Sequence, residues 1–277
     1  MLTRLRADSR CDKPAAVPID LADIERGAPF MGDYPAALAA LQERLARVQM
    51  AQVVHRRRAI IVLEGPEGAG KKAVLKGLGG ALDPCFYEVH CVAPDRRQSS
   101  EGHWLARFWT RLPATGSTAI FFHSWYRRLL EDHVMGLVSD KEWKRGFDEI
   151  NEFEAQQRDY GTVLIKLYFH ATDKVLDERI SARAADPWRH HMLGPVELRT
   201  ADGRESYRRA LAQMFKLTDT RWAPWAGVDA NDEKAAHIVA MTVIADALEK
   251  AIPLQPPERS EPAARFTSSS AARLSPA

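Results

Sequence analysis

The residues best suited to chemistry lie at 65–72, which read Gly-Pro-Glu-Gly-Ala-Gly-Lys-Lys and match the pattern Gly-x-x-x-x-Gly-Lys. A phosphate needs several main-chain N–H donors that converge without side chains in the way, and glycines allow that approach. The lysine of the pattern reaches the transferred phosphoryl group. Ser or Thr, whose hydroxyl holds Mg²⁺, usually follows that lysine, but here the next residue is also a lysine. The predicted phosphate-binding residues of this turn are Gly65, Gly68, Ala69, Gly70, Lys71 and Lys72.

The segments around this turn predict how it is held. Ala59 to Leu63 is a continuous apolar run, typical of a strand buried on both faces of a parallel sheet. An amphipathic helix is predicted before it, at residues 34–55. Further predicted strands at 86–92, 118–122 and 164–169 alternate with predicted helices at about 100–110, 124–158, 172–185, 204–219 and 233–251. This alternation predicts a doubly wound α/β domain, in which ligands bind at the carboxyl ends of the strands.

The composition limits the classes of partner. Of the 277 residues 45% are apolar, and 39 Lys and Arg against 37 Asp and Glu leave a net charge of +2. That balance does not predict binding to nucleic acid. No apolar run reaches the length of about 18 residues that a membrane span needs. With three cysteines in no metal-binding spacing, we expect a protein of the reducing cytoplasm. We expect one domain at 33–252, an N-terminal extension at 1–32 and a disordered C-terminal tail at 253–277.

Basic side chains are the second group of candidates. The stretch from 179 to 191 is dense in Arg and His and is interrupted by Asp186-Pro187, which is typical of a hinged cover over phosphates. A solvated helix face is the alternative for this stretch and for the arginine pairs. Adjacent histidines at 190 and 191 point apart on a helix, so a zinc site is not predicted. The arginine pairs expected near the carboxyl ends of the strands are Arg96 with Arg97, Arg107 with Arg111, and Arg127 with Arg128.

Four motifs, in order along residues 25–250, resemble the polyphosphate kinase 2 family. The first is the glycine-rich turn itself. The second is Arg-Phe-Trp-Thr-Arg-Leu-Pro at 107–113, and the third is Ile-Phe-Phe-His-Ser-Trp-Tyr at 120–126. The fourth is the stretch 143–154, followed by Asp-Tyr-Gly at 159–161 and Trp-Ala-Pro-Trp at 222–225. Their shared order makes the resemblance far more specific than the turn alone.

The resemblance implies a three-layer α/β/α P-loop kinase-like fold with a parallel sheet and a helical lid at about 172–200. It implies Mg²⁺ as cofactor, inorganic polyphosphate and AMP, ADP, ATP or guanine nucleotides as substrates, and a homo-oligomer. Glu67 corresponds to the family's loop Asp and is the expected Mg²⁺ ligand. The residues that the resemblance marks as catalytic are Glu67, Lys71, Arg107, Arg179 and Arg183, and those that it adds to the phosphate site are His123, Arg127 and Arg128.

The chain departs from the family pattern at the end of the third predicted strand. Members typically have Asp followed by Arg there, whereas this chain has Phe122 followed by His123. An acidic metal ligand and a cationic phosphate contact are both replaced, and neutral His is a poor ligand for Mg²⁺. Glu131 and Asp132 are candidates to replace the carboxylate, but their positions do not follow from the sequence.

Three functions remain open on the sequence. The leading hypothesis is a phosphotransferase that moves a phosphoryl group between polyphosphate and a nucleotide, from AMP to ADP or from ADP to ATP. The replaced strand-end Asp favours a second one, a catalytically weak module that binds polyphosphate or nucleotide. The turn alone would also suit a third, an ATP-dependent nucleoside monophosphate kinase. Turnover, and the phosphate donor it requires, distinguish the three.

Overall fold

A computed structural model describes residues 19–94 and 102–258. Within these ranges five strands form one sheet in the order β2-β3-β1-β4-β5. All four pairings are parallel, so the carboxyl ends of the strands lie along one edge. The strands are β1 (Arg58–Glu64), β2 (Tyr87–Cys91), β3 (Thr118–Phe122), β4 (Thr162–His170) and β5 (Trp225–Asp229).

Helices connect the strands and cover both faces of the sheet. In the described ranges they are α1 (Tyr34–Val54), α2 (Lys71–Gly79), α3 (Ala106–Trp109), α4 (Glu131–Val134), α5 (Asp140–Asp159), α6 (Asp173–Ala185), α7 (Ala201–Thr218) and α8 (Glu233–Ala251). None of these helices has the length and apolar character needed to cross a membrane.

The core consists of two apolar layers, one on each face of the sheet. Ala59, Ile61 and Leu63 of β1 face a layer built with α1, α2 and α8. Ile60 and Val62 face the opposite layer, built with α3, α5 and α7. Both faces of β1 are therefore buried, which is why its sequence is continuously apolar. The predicted three-layer α/β/α arrangement is confirmed.

Two predicted helices were wrong, and one strand was not predicted. The helix predicted at 124–158 is instead a 3₁₀ turn at Trp125–Arg128 followed by α4 and α5. Gly136 has φ 69°, and Ser139 starts α5 with a capping box to Glu142, so the chain ends one helix and begins another there. Strand β5 was not predicted, because its sequence Trp-Ala-Gly-Val-Asp is short and lacks a continuous apolar run. In the described part of the helix predicted at 100–110, only the four residues of α3 are helical.

A buried polar network joins α5 to the sheet. Lys166 Nζ on β4 donates to Oε2 of Glu154 at 3.0 Å, and both side chains are fully buried. The other oxygen of Glu154 accepts from Trp125 Nε1 at 3.0 Å and from the Tyr126 hydroxyl at 2.7 Å. Each buried donor therefore has an acceptor, and the segment after β3 is fixed against α5.

The described part of the predicted N-terminal extension packs on the sheet. The carboxylate of Glu25 lies 2.6 Å from Nε2 of His170, and the main-chain N–H of Gly27 donates to Asp229 at 2.6 Å. These contacts join residues 19–32 to the ends of β4 and β5. The rest of the predicted extension (1–18), most of the predicted tail (259–277), and Arg96 and Arg97 lie outside the described residues.

Candidate functional site

The glycine-rich turn lies between the end of β1 and the start of α2, at the carboxyl edge of the sheet. Gly65, Gly68 and Gly70 all have positive φ, at 135°, 88° and 81°. A Cβ atom at Gly65 would collide with the main-chain oxygen of Phe169 on β4. Since only glycine combines these angles with such close approach, the turn has the backbone form that presents N–H groups to an anion.

Lys71 begins α2 and is buried, whereas the neighbouring Lys72 is exposed. Nζ of Lys71 donates to the carbonyl oxygens of Gly65 and, at 2.9 Å, of Pro66. Burial lowers the pKa of Lys71 to about 8, although the negative charges of nearby glutamates oppose the shift. The ammonium group is therefore held inside the turn and titrates close to neutral pH.

The end of β3 meets Glu64, the last residue of β1. Oε1 of Glu64 accepts from the main-chain N–H and the hydroxyl of Ser124, both at 2.7 Å, and Oε2 lies 3.3 Å from Nδ1 of His123. His123 has φ 57°, which is unusual for a residue with a side chain. Burial alone would raise the pKa of Glu64. The contacts with His123 and Ser124 outweigh burial and hold the pKa of Glu64 below its usual value.

Helix α6 and the segment after it cover the turn. Nη1 of Arg183 lies 2.6 Å from Oε1 of Glu67, and the N–H of Gly194 donates to Oε2 at 3.0 Å. Arg179 donates to three carbonyl oxygens, those of Gly68 at 3.1 Å, Ala230 at 2.8 Å and Asn231 at 3.0 Å. The segment predicted as a lid thus holds both the acidic residue and the backbone of the turn.

The arginines predicted near the carboxyl ends of the strands have different partners. Arg127 is buried and paired with Glu131 and, at 3.2 Å, with Asp132. Arg128 points to Glu142 at 3.4 Å and lies over the ring of Trp104. Arg107 lies over the ring of Phe108, on α3. The structure therefore joins Glu67, Lys71, His123, Arg127, Arg179 and Arg183 through shared contacts and charges, whereas the contacts described for Arg107 and Arg128 are with Phe108, Trp104 and Glu142.

Glu64 is the residue of this site that the sequence did not reveal. A charged residue after an apolar run usually marks the point where a strand reaches solvent. Glu64 is instead 1% exposed, because Ser124, 60 residues later in the chain, satisfies its carboxylate. The signal available was its position directly before the glycine-rich turn, which alone does not distinguish a buried partner of the turn from a solvated strand end.

The donor atoms of the site bear on metal binding. The described ranges contain no group of three or more His, Cys, Asp or Glu side chains placed to hold a metal ion. Mg²⁺ that already bonds phosphate oxygens and water needs only one or two carboxylates. Glu67, whose side chain is 23% exposed at the turn, fits that smaller requirement.

Comparison with known proteins gives a consistent result. The family model described as Polyphosphate kinase 2 (PPK2) matches residues 31–256. A Polyphosphate:AMP phosphotransferase of Pseudomonas syringae pv. tomato is 33% identical over 219 residues, 79% of this chain and 44% of the relative. An ADP-polyphosphate phosphotransferase 2 of Rhizobium meliloti is 34% identical over 224 residues, 80% of this chain and 72% of the relative. The chain thus spans less than half the length of the first of these relatives.

The fold comparison agrees. The crystal structure of Polyphosphate Kinase 2 from Arthrobacter aurescens TC1 superimposes with a TM-score of 0.82 at 25% identity, over 94% of this chain and 97% of that one. The similarity therefore includes the sheet, the turn and the helices that cover it.

Proposed function

Because this chain belongs to the polyphosphate kinase 2 family, we propose that it transfers a phosphoryl group between inorganic polyphosphate and a nucleotide, from AMP to ADP or from ADP to ATP. In the forward direction the terminal P–O bond of the polymer breaks and a bond forms to a phosphate oxygen of the nucleotide. The polymer leaves one phosphate shorter. The observation that carries the proposal is the buried Lys71 inside the glycine-rich turn, with Arg183 of the covering helix paired with Glu67 of the same turn.

In this proposal the turn and the lid divide the work. The main-chain N–H groups of the turn and the ammonium of Lys71 bind the donor phosphate. Arg183, now paired with Glu67, stabilises the charge that develops on the transferred group. Arg179 is bonded to three carbonyl oxygens, which favours a positioning role for it. His123 and Arg127 lie behind the turn, where they balance the carboxylates of Glu64 and Glu131.

Mg²⁺ enters the proposal with the substrate. When bound, it neutralises charge on the phosphate oxygens, and Glu67 is the residue that would hold it. Arg183 pairs with the same carboxylate, so Arg183 and Mg²⁺ would both be partners of Glu67. We also infer that the protein acts in the cytoplasm. The homo-oligomer implied by the family stays a prediction, and light scattering would test it.

Chromatographic detection of nucleotides tests the reaction. The purified protein is incubated with Mg²⁺, polyphosphate and AMP or ADP, and Lys71→Ala is compared with Lys76→Ala. We expect ADP or ATP from the wild type and from Lys76→Ala, whose side chain is exposed on the same helix, and none from Lys71→Ala. Product that requires ATP and ignores polyphosphate would contradict the proposal and indicate a nucleoside monophosphate kinase.

The replaced strand-end Asp favours one other function. Phe122 lies where the family has that carboxylate, and a domain without it would bind polyphosphate or nucleotide without turnover. Calorimetric binding of polyphosphate by folded wild-type protein, with no nucleotide product from either acceptor, would favour this binding module over the enzyme.

A further inference from the structure

The strand-end position at 122 places an aromatic ring, and no carboxylate, beside the reactive lysine. Nζ of Lys71 lies 5.5 Å from the centroid of the Phe122 ring. The lysine is buried, and a buried ammonium needs a negative partner to remain charged. Its two hydrogen-bond acceptors, at Gly65 and Pro66, are neutral carbonyl oxygens. The negative charge that compensates the ammonium of Lys71 must therefore come from nearby carboxylates.

Helix α4 brings Glu131 back toward the end of β3. Its Oε1 lies 3.9 Å from Nδ1 of His123, and its Oε2 is paired with Arg127. Glu131 is 6% exposed. The neighbouring Asp132 is also buried and contacts Nε of the same arginine at 3.2 Å. The two acids thus share a cation, and Glu131 also faces His123, next to Phe122.

The electrostatics of Lys71 single out Glu131. Burial is the largest influence on the pKa of Lys71 and lowers it. Among the opposing negative charges Glu131 acts most strongly, ahead of Glu64 of β1 and Glu67 of the turn. Arg127 acts in the same direction as burial. Glu131 is therefore the carboxylate whose charge most favours the ammonium form of Lys71, and its contact with His123 places it near Phe122.

We propose that Glu131 is the positioning residue of this site: it supplies from α4 the negative charge that a strand-end acid would supply from β3, and so maintains the ammonium form of Lys71. Its meaning for catalysis rests on the proposed function, but the charge relationship between Glu131 and Lys71 does not. Glu131 acts on the phosphate donor only through Lys71.

The test is the titration of Lys71 itself, followed by NMR of the ¹⁵N-labelled side-chain ammonium. The resonance is assigned by its absence in Lys71→Met. The wild type is expected to titrate at about 8. In Glu131→Gln the midpoint should fall by about one pH unit or more, because an opposing charge is lost. Asp132→Asn is the matched control, since it removes an acid from the same arginine, and its midpoint should shift by less than about 0.3.

A restoring variant tests the position. Phe122→Asp combined with Glu131→Gln returns a carboxylate to the strand end, and the Lys71 midpoint should rise again toward that of the wild type. If Glu131→Gln does not fold, Glu131→Asp keeps the charge on a side chain one methylene shorter. The Lys71 midpoint should then fall by less than the fall expected for Glu131→Gln. A midpoint unchanged in the Glu131 variant, or lowered equally in Asp132→Asn, would overturn the proposal.

The NMR titration distinguishes failure of this inference from failure of the proposed function. If the wild type turns over, the alkaline limb of its kcat/KM profile for polyphosphate should shift in Glu131→Gln by as much as the Lys71 midpoint. If the wild type shows no turnover, the proposed enzyme fails, yet the NMR titration still decides whether Glu131 maintains the charge of Lys71.

Discussion

Nη1 of Arg183 lies 2.6 Å from Oε1 of Glu67, so the lid helix holds the acidic residue of the glycine-rich turn. Both side chains are partly exposed, at 32% and 23%, which leaves the pair accessible to a substrate phosphate. A phosphate that binds in the turn would therefore compete with Glu67 for the guanidinium of Arg183.

Arg183→Gln should lower kcat for phosphoryl transfer by about 100-fold, the usual cost of removing one donor to a developing charge. Arg189→Gln is the matched control, because Arg189 lies on the same cover, is 73% exposed and faces only Asp186 at 3.6 Å. Its kcat should stay within about twofold of the wild type. Steady-state kinetics with saturating polyphosphate measure both, and equal losses in the two variants would contradict the assigned role.

Polyphosphate binding should weaken as the pH rises through about 8, because Lys71 loses its proton there. The sign follows from burial, which lowers the pKa of this lysine below its ordinary value. Lys71→Arg keeps its charge at all accessible pH values, so the alkaline loss of affinity should disappear in that variant. Calorimetric titration with tripolyphosphate between pH 7 and about 9.5 measures it, and an alkaline loss identical in both proteins would assign it to another group.

Lys71→Met should make the ligand-free protein more stable at pH 7. The pKa of Lys71 is about 8 in the folded protein against 10.5 for an ordinary lysine, so below pH 8 the buried ammonium opposes folding. We expect the free energy of unfolding to rise by about 1–3 kcal/mol, and the gain to shrink as the pH rises from 8 toward 10.5. Urea denaturation measures it, with Lys72→Met as the exposed control. A less stable Lys71→Met protein at pH 7 would show that the buried ammonium of Lys71 does not oppose folding.

Glu154→Ala should lower the free energy of unfolding by about 3–5 kcal/mol, because it leaves the buried Lys166 without its charged partner. It also removes the acceptor of Trp125 and Tyr126. Glu152→Ala lies on the exposed face of the same helix and should change stability by less than about 0.5 kcal/mol. Chemical denaturation compares the two, and similar values for both would show that the network does not stabilise the fold.

Sequence patterns predicted the parts of the fold that local chemistry determines. β1 was recognisable because burial on both faces requires a continuous apolar run, and the turn because positive φ requires glycine. β5 was not recognisable, since this segment forms a strand by pairing with β4, which is about 60 residues away in the chain. The break in the helix predicted at 124–158 depends on Gly136 and Ser139, two local signals that the long amphipathic pattern concealed.

The charges of the site were less predictable than its backbone. The loop lysine and the lid arginines follow from the glycine-rich turn and the family motifs. Glu64 and Glu131 take part only because the ends of β1 and β3 lie near the start of α4. Which acid can replace the carboxylate missing at Phe122 therefore depends on how the structure packs. The spacing of residues along the chain does not predict it.

Arg179 fixes the first half of α6 to the rest of the domain. Its guanidinium is bonded to main-chain carbonyl oxygens of the turn and of the segment after β5, so the first two turns of α6 move with the sheet. Arg183 lies four residues further, about 6 Å along the helix axis, and forms an ion pair with Glu67. Because Arg179 is fixed to main-chain carbonyl oxygens and Arg183 pairs with a partly exposed carboxylate, any opening of the cover is expected in the part of the segment beyond Arg179.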